Sequence, residues 1–568
     1  MKKNLLPSFR KKKSINERMT ATFGEDPLGI NDLPFKTQPD YMRGKGGIWY
    51  WTGAMTAIAF FYQIVSGLIL LLYYNPADAY ASTETFLKTV PYGALILTTH
   101  LYGAYAMIVL IYIHLYRNYF TGAYKKPRQI QWVLGVILLA LTVGVGYFGY
   151  SLTGDILSTD ATDVGRGIAM LIPIIGKPLE EIGFGNGTST GLFIRFLGWH
   201  IIFTALIGAL FGLHFFLAEN HNFKPAGYKT NYKAPAMVND YNQHKPWYPY
   251  NFVYMIQLSF LTIGFIILIP SVLGLMSGVP ALFSPFPQVS PTSPLAPYVP
   301  PYPPWFLLFL YKAIDFQIYG NVRFLLAISP LATSVLFGLI PLLYFIIVPF
   351  IDTSNELHPL ARPKTTAFGI LGIIYMIILS AWGALSPGIQ IPYYDVALVL
   401  IPPFIIVMGG MLFLGRMYRN GTLKVTGDKL MVSTLVFIVI LIAAVISLSY
   451  NFAGFLANSS ALNFTGTLFS GGVTAFAAFG TAKSADYTVK MRTKEISNGN
   501  LKKPPIMSKK NATILGGILA FITLIIMGLS ISVNPIYKGS LVFGIGLGIS
   551  LLLASVVTRL YRMVAYDE

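Results

Sequence analysis

The dominant pattern along this chain is a succession of long apolar runs separated by polar loops. Twelve runs of about 20 apolar residues occur, near positions 49–74, 93–117, 130–150, 193–217, 252–273, 325–350, 366–387, 396–416, 429–449, 464–482, 512–532 and 540–560. Because about 20 apolar residues in a helix cross the ~30 Å hydrocarbon core of a bilayer, the pattern predicts an all-α polytopic membrane protein with about 12 transmembrane helices. The tenth run is rich in Gly, Ser and Thr, so a count of eleven remains open.

Composition and charge support this class and give it an orientation. The chain of 568 residues is 54% hydrophobic and 11% charged, which excludes an ordinary water-soluble globular protein. With the N-terminus in the cytoplasm, 34 of the 41 Lys and Arg residues fall on the cytoplasmic side. The positive-inside rule therefore predicts cytoplasmic N- and C-termini and an even helix count. We interpret the basic loops as topology signals rather than a nucleic-acid surface, and residues 1–47 as a basic cytoplasmic arm.

One interval recurs in the first four apolar runs. Each contains two identical residues 14 positions apart: Gly53 and Gly67, His100 and His114, Gly135 and Gly149, His200 and His214. Fourteen residues make about 3.9 helical turns, so both members face nearly the same way, about 21 Å apart along the axis. Two facing histidine helices would supply two axial imidazoles at each of two levels, and the glycines would let a large flat group approach the backbone. The spacing predicts two haems.

The distribution of the histidines favours ligation over a purely structural role. A lone histidine in a membrane helix more often makes an interhelical hydrogen bond than binds a metal. Here four of the seven histidines lie within apolar runs, in two equal intervals, while His221, His244 and His358 lie in loops predicted to be cytoplasmic. The chain has no cysteine, so an iron–sulfur cluster held by thiolates would have to come from a partner.

Three further segments carry candidate chemistry. Arg117, one turn beyond His114, would either pair with a haem propionate or extend to the interface. The charge-free, proline-rich segment 280–304 is either a rigid extended loop or the wall of an apolar pocket for an aromatic ring. The apolar stretch 168–175, within a long external loop, predicts a short helix along the membrane interface.

These residues resemble the cytochrome b family of quinol:acceptor oxidoreductases, the membrane core of the bc1 and b6f complexes. Besides the histidine and glycine pairs, the resemblance rests on His100-x-x-Gly103-Ala104, His114-x-x-Arg117, Lys126-Pro127-Arg128 leading into Trp132, Gly149-Tyr150, Arg195-Phe196, residues 246–250 and 291–295, Pro303-Pro304-Trp305-Phe306, Arg362-Pro363 and Trp382-Gly383. It covers about residues 49–390, the eight-helix core of the family, and leaves four further apolar runs outside it.

The resemblance implies a division of the chain and a set of haem ligands. Residues 48–220 would form a di-haem four-helix bundle, 221–390 a second part of four helices with an outer quinol-site loop, and 391–568 additional transmembrane helices. His100 and His200 would bind the outer haem iron, and His114 and His214 the inner one. The residues expected around the haems, which would be b-type or an a-type derivative, are Gly53, Gly67, Gly135, Gly149, Arg117 and Arg195.

The resemblance also implies an enzyme subunit. Quinol would be oxidised beside Pro303, Pro304, Trp305, Phe306 and Tyr150. One electron would go to an external Rieske iron–sulfur protein and the second inward through the outer and then the inner haem to a quinone at the cytoplasmic face. The extra apolar runs, the absence of cysteine and the Pro-Pro-Trp-Phe tetrad resemble archaeal quinol oxidase-type cytochromes b. This implies terminal oxidase subunits as further partners, beside membrane lipid, in a prokaryotic plasma membrane.

The chain departs from the family pattern at both quinone ends. The family tetrad is usually Pro-Glu-Trp-Tyr, whereas Pro304 and Phe306 stand here for the glutamate and the tyrosine, so no carboxylate in the tetrad can accept a proton. The remaining candidate acceptors are Asp155, Asp160, Asp163, Asp315 or water. Elsewhere Leu97, Glu219 and Met255 replace a usual arginine, histidine and acidic residue, and Glu219 with His221 could rebuild the inner quinone site.

Two other functions fit part of the pattern. A twelve-helix secondary transporter has the same helix count and one-sided basic loops, but the chain shows no similar halves and the four histidines would have no role. A haem-binding assembly scaffold would keep the ligands without quinol chemistry. A reduced-minus-oxidised spectrum separates the transporter from the other two functions, and inhibitable quinol oxidation separates those two from each other.

Overall fold

The computed structural model describes residues 51–185, 187–220, 233–234, 251–317, 333–422 and 507–566, with scattered positions between 440 and 477. Outside those scattered positions it contains the helices α1 (Thr52–Leu71), α2 (Ala79–Thr89), α3 (Gly93–Phe120), α4 (Gln129–Ser151), α5 (Ile156–Met170), α6 (Gly176–Phe184), α7 (Ser189–Asn220), α8 (Phe252–Leu275), α9 (Leu308–Ile314), α10 (Ile340–Ile351), α11 (Pro363–Leu385), α12 (Tyr393–Arg419), α13 (Lys509–Ile531) and α14 (Lys538–Tyr566). A π-helical turn, Val335–Leu339, leads into α10. Two-residue strands, β1 (Phe316–Gln317) and β2 (Ile391–Pro392), pair in parallel.

Nine of the described helices are long and apolar enough to cross a membrane: α1, α3, α4, α7, α8, α11, α12, α13 and α14. The predicted all-α, multi-pass membrane class is confirmed. The total of twelve stays a prediction, because the sixth apolar run is described only from Thr333 and the runs at 429–449 and 464–482 lie largely outside the described residues. The basic arm at 1–47 lies outside them as well, and the division at 220 and 390 also stays a prediction.

Four helices form the bundle that carries the histidines. α1 packs against α3, α4 packs against α7, and α3 and α4 are neighbours across a short loop. The centre of the bundle is an apolar cluster contributed by all four helices, which includes Ala59, Phe60, Met107, Leu138 and Ile207. Consecutive membrane-crossing helices run in opposite directions, so α1 is antiparallel to α3, and α4 to α7. The two ends of these helices therefore define two levels.

The C-terminal helices close one side of this bundle. α8 packs against α1 and α3, α14 packs along α8, and α13 packs on α14. A glycine permits the close approach, since a Cβ added to Gly548 would lie 2.8 Å from Leu268 Cβ. Ser540 accepts a hydrogen bond from the backbone N–H of Leu95 at 3.2 Å, which joins α14 to α3. The last apolar run, α14, is therefore packed directly onto the histidine-bearing helix α3, and α13 packs on α14.

The loop after α4, which is predicted to be external, folds into two helices, α5 and α6. The predicted single helix at 168–175 is wrong in its position, because α5 ends at Met170, α6 begins at Gly176, and the residues between them form the turn. Pro173 is poorly compatible with a helix interior, and Ile174 has a positive φ of 70°. Ile174 is 98% exposed, so an apolar side chain projects from the tip of this hairpin.

Charged residues are buried where the loop between α3 and α4 meets the segment before α11. Lys125 Nζ lies 2.7 Å from Asp352 Oδ1, and Arg362 Nη1 lies 3.5 Å from Asp352 Oδ2. Arg362 also donates to Phe120 O at 2.9 Å. Burial alone would raise the pKa of Asp352, but hydrogen bonds from Lys125 and Tyr124 and the charge of Lys125 hold it below its usual value. We call Tyr124, Lys125, Asp352 and Arg362 the ionic cluster.

Candidate functional site

The helix packing sets each glycine of the sequence pattern against one histidine. A Cβ added to the glycine would lie 2.8 Å from Cε1 of His114 for Gly53, 3.1 Å from Cε1 of His100 for Gly67, 3.1 Å from Cε1 of His214 for Gly135, and 2.7 Å from Cε1 of His200 for Gly149. Because the paired helices are antiparallel, the first glycine of each helix meets the second histidine of its partner. The edge of an imidazole lies against each glycine, and the role of the glycines beside a large flat group stays a prediction.

The outer pair, His100 and His200, lies at the level expected to face the outside. The two ring centroids are 6.4 Å apart, and the rings are inclined at 64°. Ser66 Oγ lies 2.8 Å from His100 Nδ1 and donates its hydrogen to Tyr62 O at 2.7 Å, so it accepts the hydrogen bond from the imidazole. His200 Nδ1 donates to Val145 O at 3.0 Å. Both rings therefore carry hydrogen on Nδ1, which leaves the lone pair of Nε2 available to a metal.

The inner pair, His114 and His214, lies at the other level. His214 Nδ1 donates to Gln131 O at 2.9 Å, in the same manner as His200. His114 Nδ1 lies 3.3 Å from Thr52 Oγ1. The amide nitrogen of Asn118 lies 3.4 Å from His114 Nδ1 and 3.1 Å from His114 Nε2. The Asn118 amide therefore has to turn away before Nε2 of His114 can bind a metal.

Each level of the bundle offers two histidine nitrogens as possible metal ligands. Among the residues that the structure describes, no group of three or more His, Asp or Glu side chains could share one metal ion, so its other ligands would come from a cofactor. A metal–imidazole bond is about 2.0–2.1 Å and the ring centre lies roughly 1 Å further, so two axial imidazoles place their centroids about 6 Å apart. The separation of the outer pair matches that requirement, and the residues present fit a haem held by two imidazoles.

A cavity of about 510 Å³ has the outer pair in its wall. Apolar side chains of α1, α3, α4 and α7 line most of it, and it reaches residues 284–288 of the proline-rich segment. Tyr150 and Phe306 line the cavity too, together with Leu97 and Asp155. The proline-rich segment therefore forms part of a pocket wall, as the second of its two interpretations proposed.

The tetrad at 303–306 contributes unequally to this cavity. Pro303 and Pro304 are buried but do not line it, and Trp305 and Phe306 begin the short helical turn Trp305–Leu307. The Trp305 ring meets the Tyr105 ring edge-on, with centroids 5.5 Å apart. Phe306 packs so closely on α4 that a Cβ added to Gly146 would lie 3.2 Å from its Cζ. Of the four residues, Phe306 is the one that lines the cavity.

Asp155 is the candidate proton acceptor that lines the cavity, but its oxygens are already engaged. Oδ1 accepts from the backbone N–H of Ser158 at 2.9 Å and from Thr153 Oγ1 at 3.2 Å. Oδ2 accepts from the backbone N–H of Gln288 at 2.6 Å. Asp155 therefore caps the N-terminus of α5 and ties this helix to the proline-rich wall.

The other three aspartates lie in different surroundings. Asp163 is exposed, and Asp315 Oδ2 lies 3.2 Å from Lys312 Nζ. Burial raises the pKa of Asp315, although the charge of Lys312 opposes the shift. Burial, followed by the charges of Asp163 and Asp155, also raises the pKa of Asp160. The pKa of Asp160 is therefore raised, and no positively charged neighbour among the described residues opposes the shift.

The predicted arginines take separate positions. Arg117 Nη1 donates to Asn118 Oδ1 at 3.0 Å and so contacts the amide that touches His114. Arg195 Nη1 donates to Gly191 O, one turn earlier in α7, at 3.0 Å. At the inner end Met255 packs beside Trp51. Glu219 lies in the last turn of α7, and His221, proposed with it for an inner quinone site, lies outside the described residues.

Sequence reasoning missed the residues that orient the imidazoles of α3. Thr52 and Ser66 contact His114 and His100, respectively. The signal was present, because a hydroxyl residue directly precedes each glycine of α1 and the two hydroxyl residues share the 14-residue interval. Asn118 and Tyr105 carried no comparable signal, since their contacts depend on the packing of neighbouring helices.

The fold and the paired imidazoles define a class: an all-α membrane protein that presents histidines from facing helices at two levels. The family model described as "Cytochrome b(N-terminal)/b6/petB" matches residues 105–291. The chain is 37% identical over 557 residues to a cytochrome b of Sulfolobus acidocaldarius, with 94% of this chain and 96% of that protein covered. This chain therefore belongs to the cytochrome b family, and membership implies haem cofactors.

Other likenesses cover less of the chain. Cytochrome b6 of Mesostigma viride is 36% identical over 197 residues, covering 34% of this chain and 91% of that protein. A chain of a solved "Hyperthermophilic respiratory Complex III" covers 71% of this chain and 95% of its own length, at a TM-score of 0.48 and 21% identity. Because 94% of this chain aligns with the Sulfolobus protein, that archaeal relative shares most of residues 391–568, the C-terminal extension.

Proposed function

We propose that this chain is the di-haem subunit of a respiratory quinol-oxidising complex that works with a Rieske iron–sulfur protein, in a prokaryotic plasma membrane with both termini in the cytoplasm. The observation that carries the proposal is the pairing of His100 and His200, 6.4 Å apart, in the wall of a cavity that also reaches Tyr150 and Phe306. An electron carrier and a ring-shaped substrate would be neighbours there. The family resemblance supports the Rieske partner and the terminal oxidase subunits.

The histidines would hold one haem at each level. His100 and His200 would bind the outer iron and His114 and His214 the inner one, and a haem held at each level would supply a one-electron carrier. The chain fixes the planes of three of the four imidazoles, because Nδ1 of His100, His200 and His214 is hydrogen-bonded to a neighbouring helix. The glycines let these rings stand against the facing backbone.

Quinol would bind by its ring in the apolar part of the cavity, against Phe306 and the proline-rich wall. The Tyr150 hydroxyl can donate or accept a hydrogen bond with a quinol hydroxyl. Asp155 holds α5 to the wall through the hydrogen bonds that both of its oxygens accept. The quinol proton passes to water, with Asp160 as the next acceptor because burial raises its pKa.

A reduced-minus-oxidised visible spectrum of the purified complex tests the haem assignment. We expect two low-spin haem bands, loss of the outer one in His200→Leu and of the inner one in His214→Leu. His358→Leu is the matched control, because this histidine lies outside the four-helix bundle, and both bands should remain. A wild-type complex without a low-spin band, or two haems in His214→Leu, would contradict the assignment.

Steady-state quinol oxidation separates an enzyme subunit from a haem-binding scaffold. Tyr150→Phe removes the proposed hydrogen bond and keeps the ring, so we expect a raised KM for quinol with both haem bands intact. Tyr298→Phe is a suitable control, because Tyr298 lies in the same proline-rich segment with its side chain 82% exposed. A wild-type complex that holds both haems but oxidises no quinol would contradict the enzyme function and favour the haem-binding scaffold.

A further inference from the structure

The C-terminal helix α14 brings a buried arginine to the inner end of the bundle. Arg562 is 5% exposed, and its Nη1 donates to Gln257 Oε1 at 2.9 Å. Its Cζ lies 4.3 Å from the centroid of the Tyr254 ring. Two turns earlier in α14, Ser555 donates to Gln257 O at 3.0 Å. Two points of α14 are therefore fastened to one turn of α8.

Tyr254 carries this contact toward the first turn of α1. Its ring meets the Trp51 ring edge-on, with centroids 5.2 Å apart and an angle of 71°. Trp51 directly precedes α1, and its side chain is 7% exposed. Met255 and Leu258 of α8 complete the apolar cluster around Trp51. The start of α1 is thus held by a face of α8 that α14 covers.

The two residues after Trp51 form the seat of His114. Thr52 Oγ1 lies 3.3 Å from His114 Nδ1, and a Cβ added to Gly53 would lie 2.8 Å from His114 Cε1. Because Trp51 is bonded directly to Thr52, a shift of Trp51 would change the contacts of Thr52 and Gly53 with this imidazole. The outer pair is oriented by Ser66 and Val145 instead, which lie in other parts of α1 and α4.

We infer that Arg562 is a positioning residue for the inner haem, which it influences through Tyr254, Trp51 and the Thr52–Gly53 seat of His114. The inference rests on the proposed function, since it requires a haem on His114. A guanidinium over an aromatic face depends on direction as well as charge, so lysine does not replace it fully. The positive charge also favours the reduced state of a group held at this end. The C-terminal extension thus acts on a redox centre of the histidine bundle.

A redox titration that resolves the two haems tests this role in the intact complex. Arg562→Met keeps an unbranched apolar stem and removes the guanidinium with its charge. We expect the inner midpoint potential to move to a more negative value and the inner low-spin electron paramagnetic resonance signal to shift, with the outer haem unchanged. Arg562→Lys should recover part of both changes. The matched control is Arg559→Met. Arg559 lies one turn earlier in α14 and is exposed, so this change should leave both midpoint potentials unaltered.

A double-mutant cycle tests the route. Tyr254→Leu should shift the midpoint potential of the inner haem in the same direction as Arg562→Met. The double variant should shift this potential by less than the sum of the two single shifts. Tyr254→Phe keeps the ring and should behave as the wild type. Additive shifts, or equal shifts of both haems, would overturn the inference. A wild-type complex without two resolved haems would instead count against the proposed function, so the two failures are distinguishable.

Discussion

At both the outer and the inner end of the four-helix bundle, each histidine ring stands against a glycine, and we call these glycine positions the glycine seats. Different interactions hold the two ends together. The outer pair stands in the wall of a cavity of about 510 Å³ that a proline-rich segment helps to enclose. At the end of the inner pair, the described residues include buried charges: the ionic cluster beyond α3, and Arg562 of α14, which packs against Tyr254 of α8. One end thus has a cavity directly beside its histidines. The other has helix ends fixed by contacts that are costly to break.

Glycine substitutions should produce the largest change, because they remove the feature that the two ends share. A Cβ at Gly149 or Gly53 would approach the facing imidazole within 3.0 Å, so Gly149→Ala should abolish or strongly shift the outer haem band, and Gly53→Ala the inner one. Visible and electron paramagnetic resonance spectra of the purified variants measure this. Gly67→Ala and Gly135→Ala, with 3.1 Å approaches, should have smaller effects.

The control for this series is Gly144→Ala on α4, between the two glycine seats. A Cβ there would lie 3.6 Å from Phe203, which is ordinary contact, so both haems should persist. If Gly149→Ala left the outer haem unchanged while Gly144→Ala altered it, the glycine seats would have no special role at either level.

Neutralising Asp352 should destabilise the inner end next most strongly. Asp352→Asn leaves Lys125 and Arg362 buried without their shared carboxylate, which costs about 3–5 kcal/mol for a fully buried pair. Thermal unfolding in detergent should show the loss. Lys177→Gln, which removes one member of an exposed pair with Glu181, is the control and should change stability by less than about 0.5 kcal/mol.

The pH dependence gives an independent check on the ionic cluster. The folded pKa of Asp352 lies below its usual value, so the carboxylate stabilises the fold above about pH 4 and that contribution is lost as the pH falls through the folded pKa. Wild-type stability should therefore fall in acid more steeply than that of Asp352→Asn. Parallel acid curves for the two proteins would show that the cluster contributes little.

Asp155→Asn should have a moderate effect restricted to the outer end. An amide can replace one carboxylate oxygen as an acceptor but not both, so either the cap of α5 or the hydrogen bond from Gln288 is lost, at about 1–2 kcal/mol. We expect weaker quinol binding, measured as KM, with the inner haem unchanged. Asp163→Asn, on the same helix and exposed, should leave KM unaltered.

Removing one acceptor from an imidazole should give the smallest change. Ser66→Ala takes away the acceptor of His100 Nδ1, which makes the imidazole a weaker electron donor and raises the outer midpoint potential. A hydrogen bond of about 1 kcal/mol corresponds to roughly 40 mV for one electron. Thr52→Val should affect the inner haem less, because its contact is longer at 3.3 Å. Equal shifts at both haems would mean that the two levels are not oriented separately.

Much of the fold was predictable because membrane helices are locally encoded. Nine apolar runs became helices close to their expected bounds, since hydrocarbon allows little other structure. The short helix expected at 168–175 failed because composition alone does not show where Pro173 turns the chain. For the site, the histidine intervals were visible, whereas the separate positions of Asp155 and Asp160 depended on contacts with distant segments.

The sequence by itself determined that histidines and glycines stand at two levels, because a 14-residue interval in a helix has a length and direction set by local backbone geometry. Only the tertiary structure decided that Gly53 meets His114 and Gly149 meets His200, since this pairing depends on which helices are antiparallel neighbours. It also decided that α14 lies against α8 and delivers Arg562 to the inner end. Small residues permit close packing against any helix, so their pattern does not name the partner.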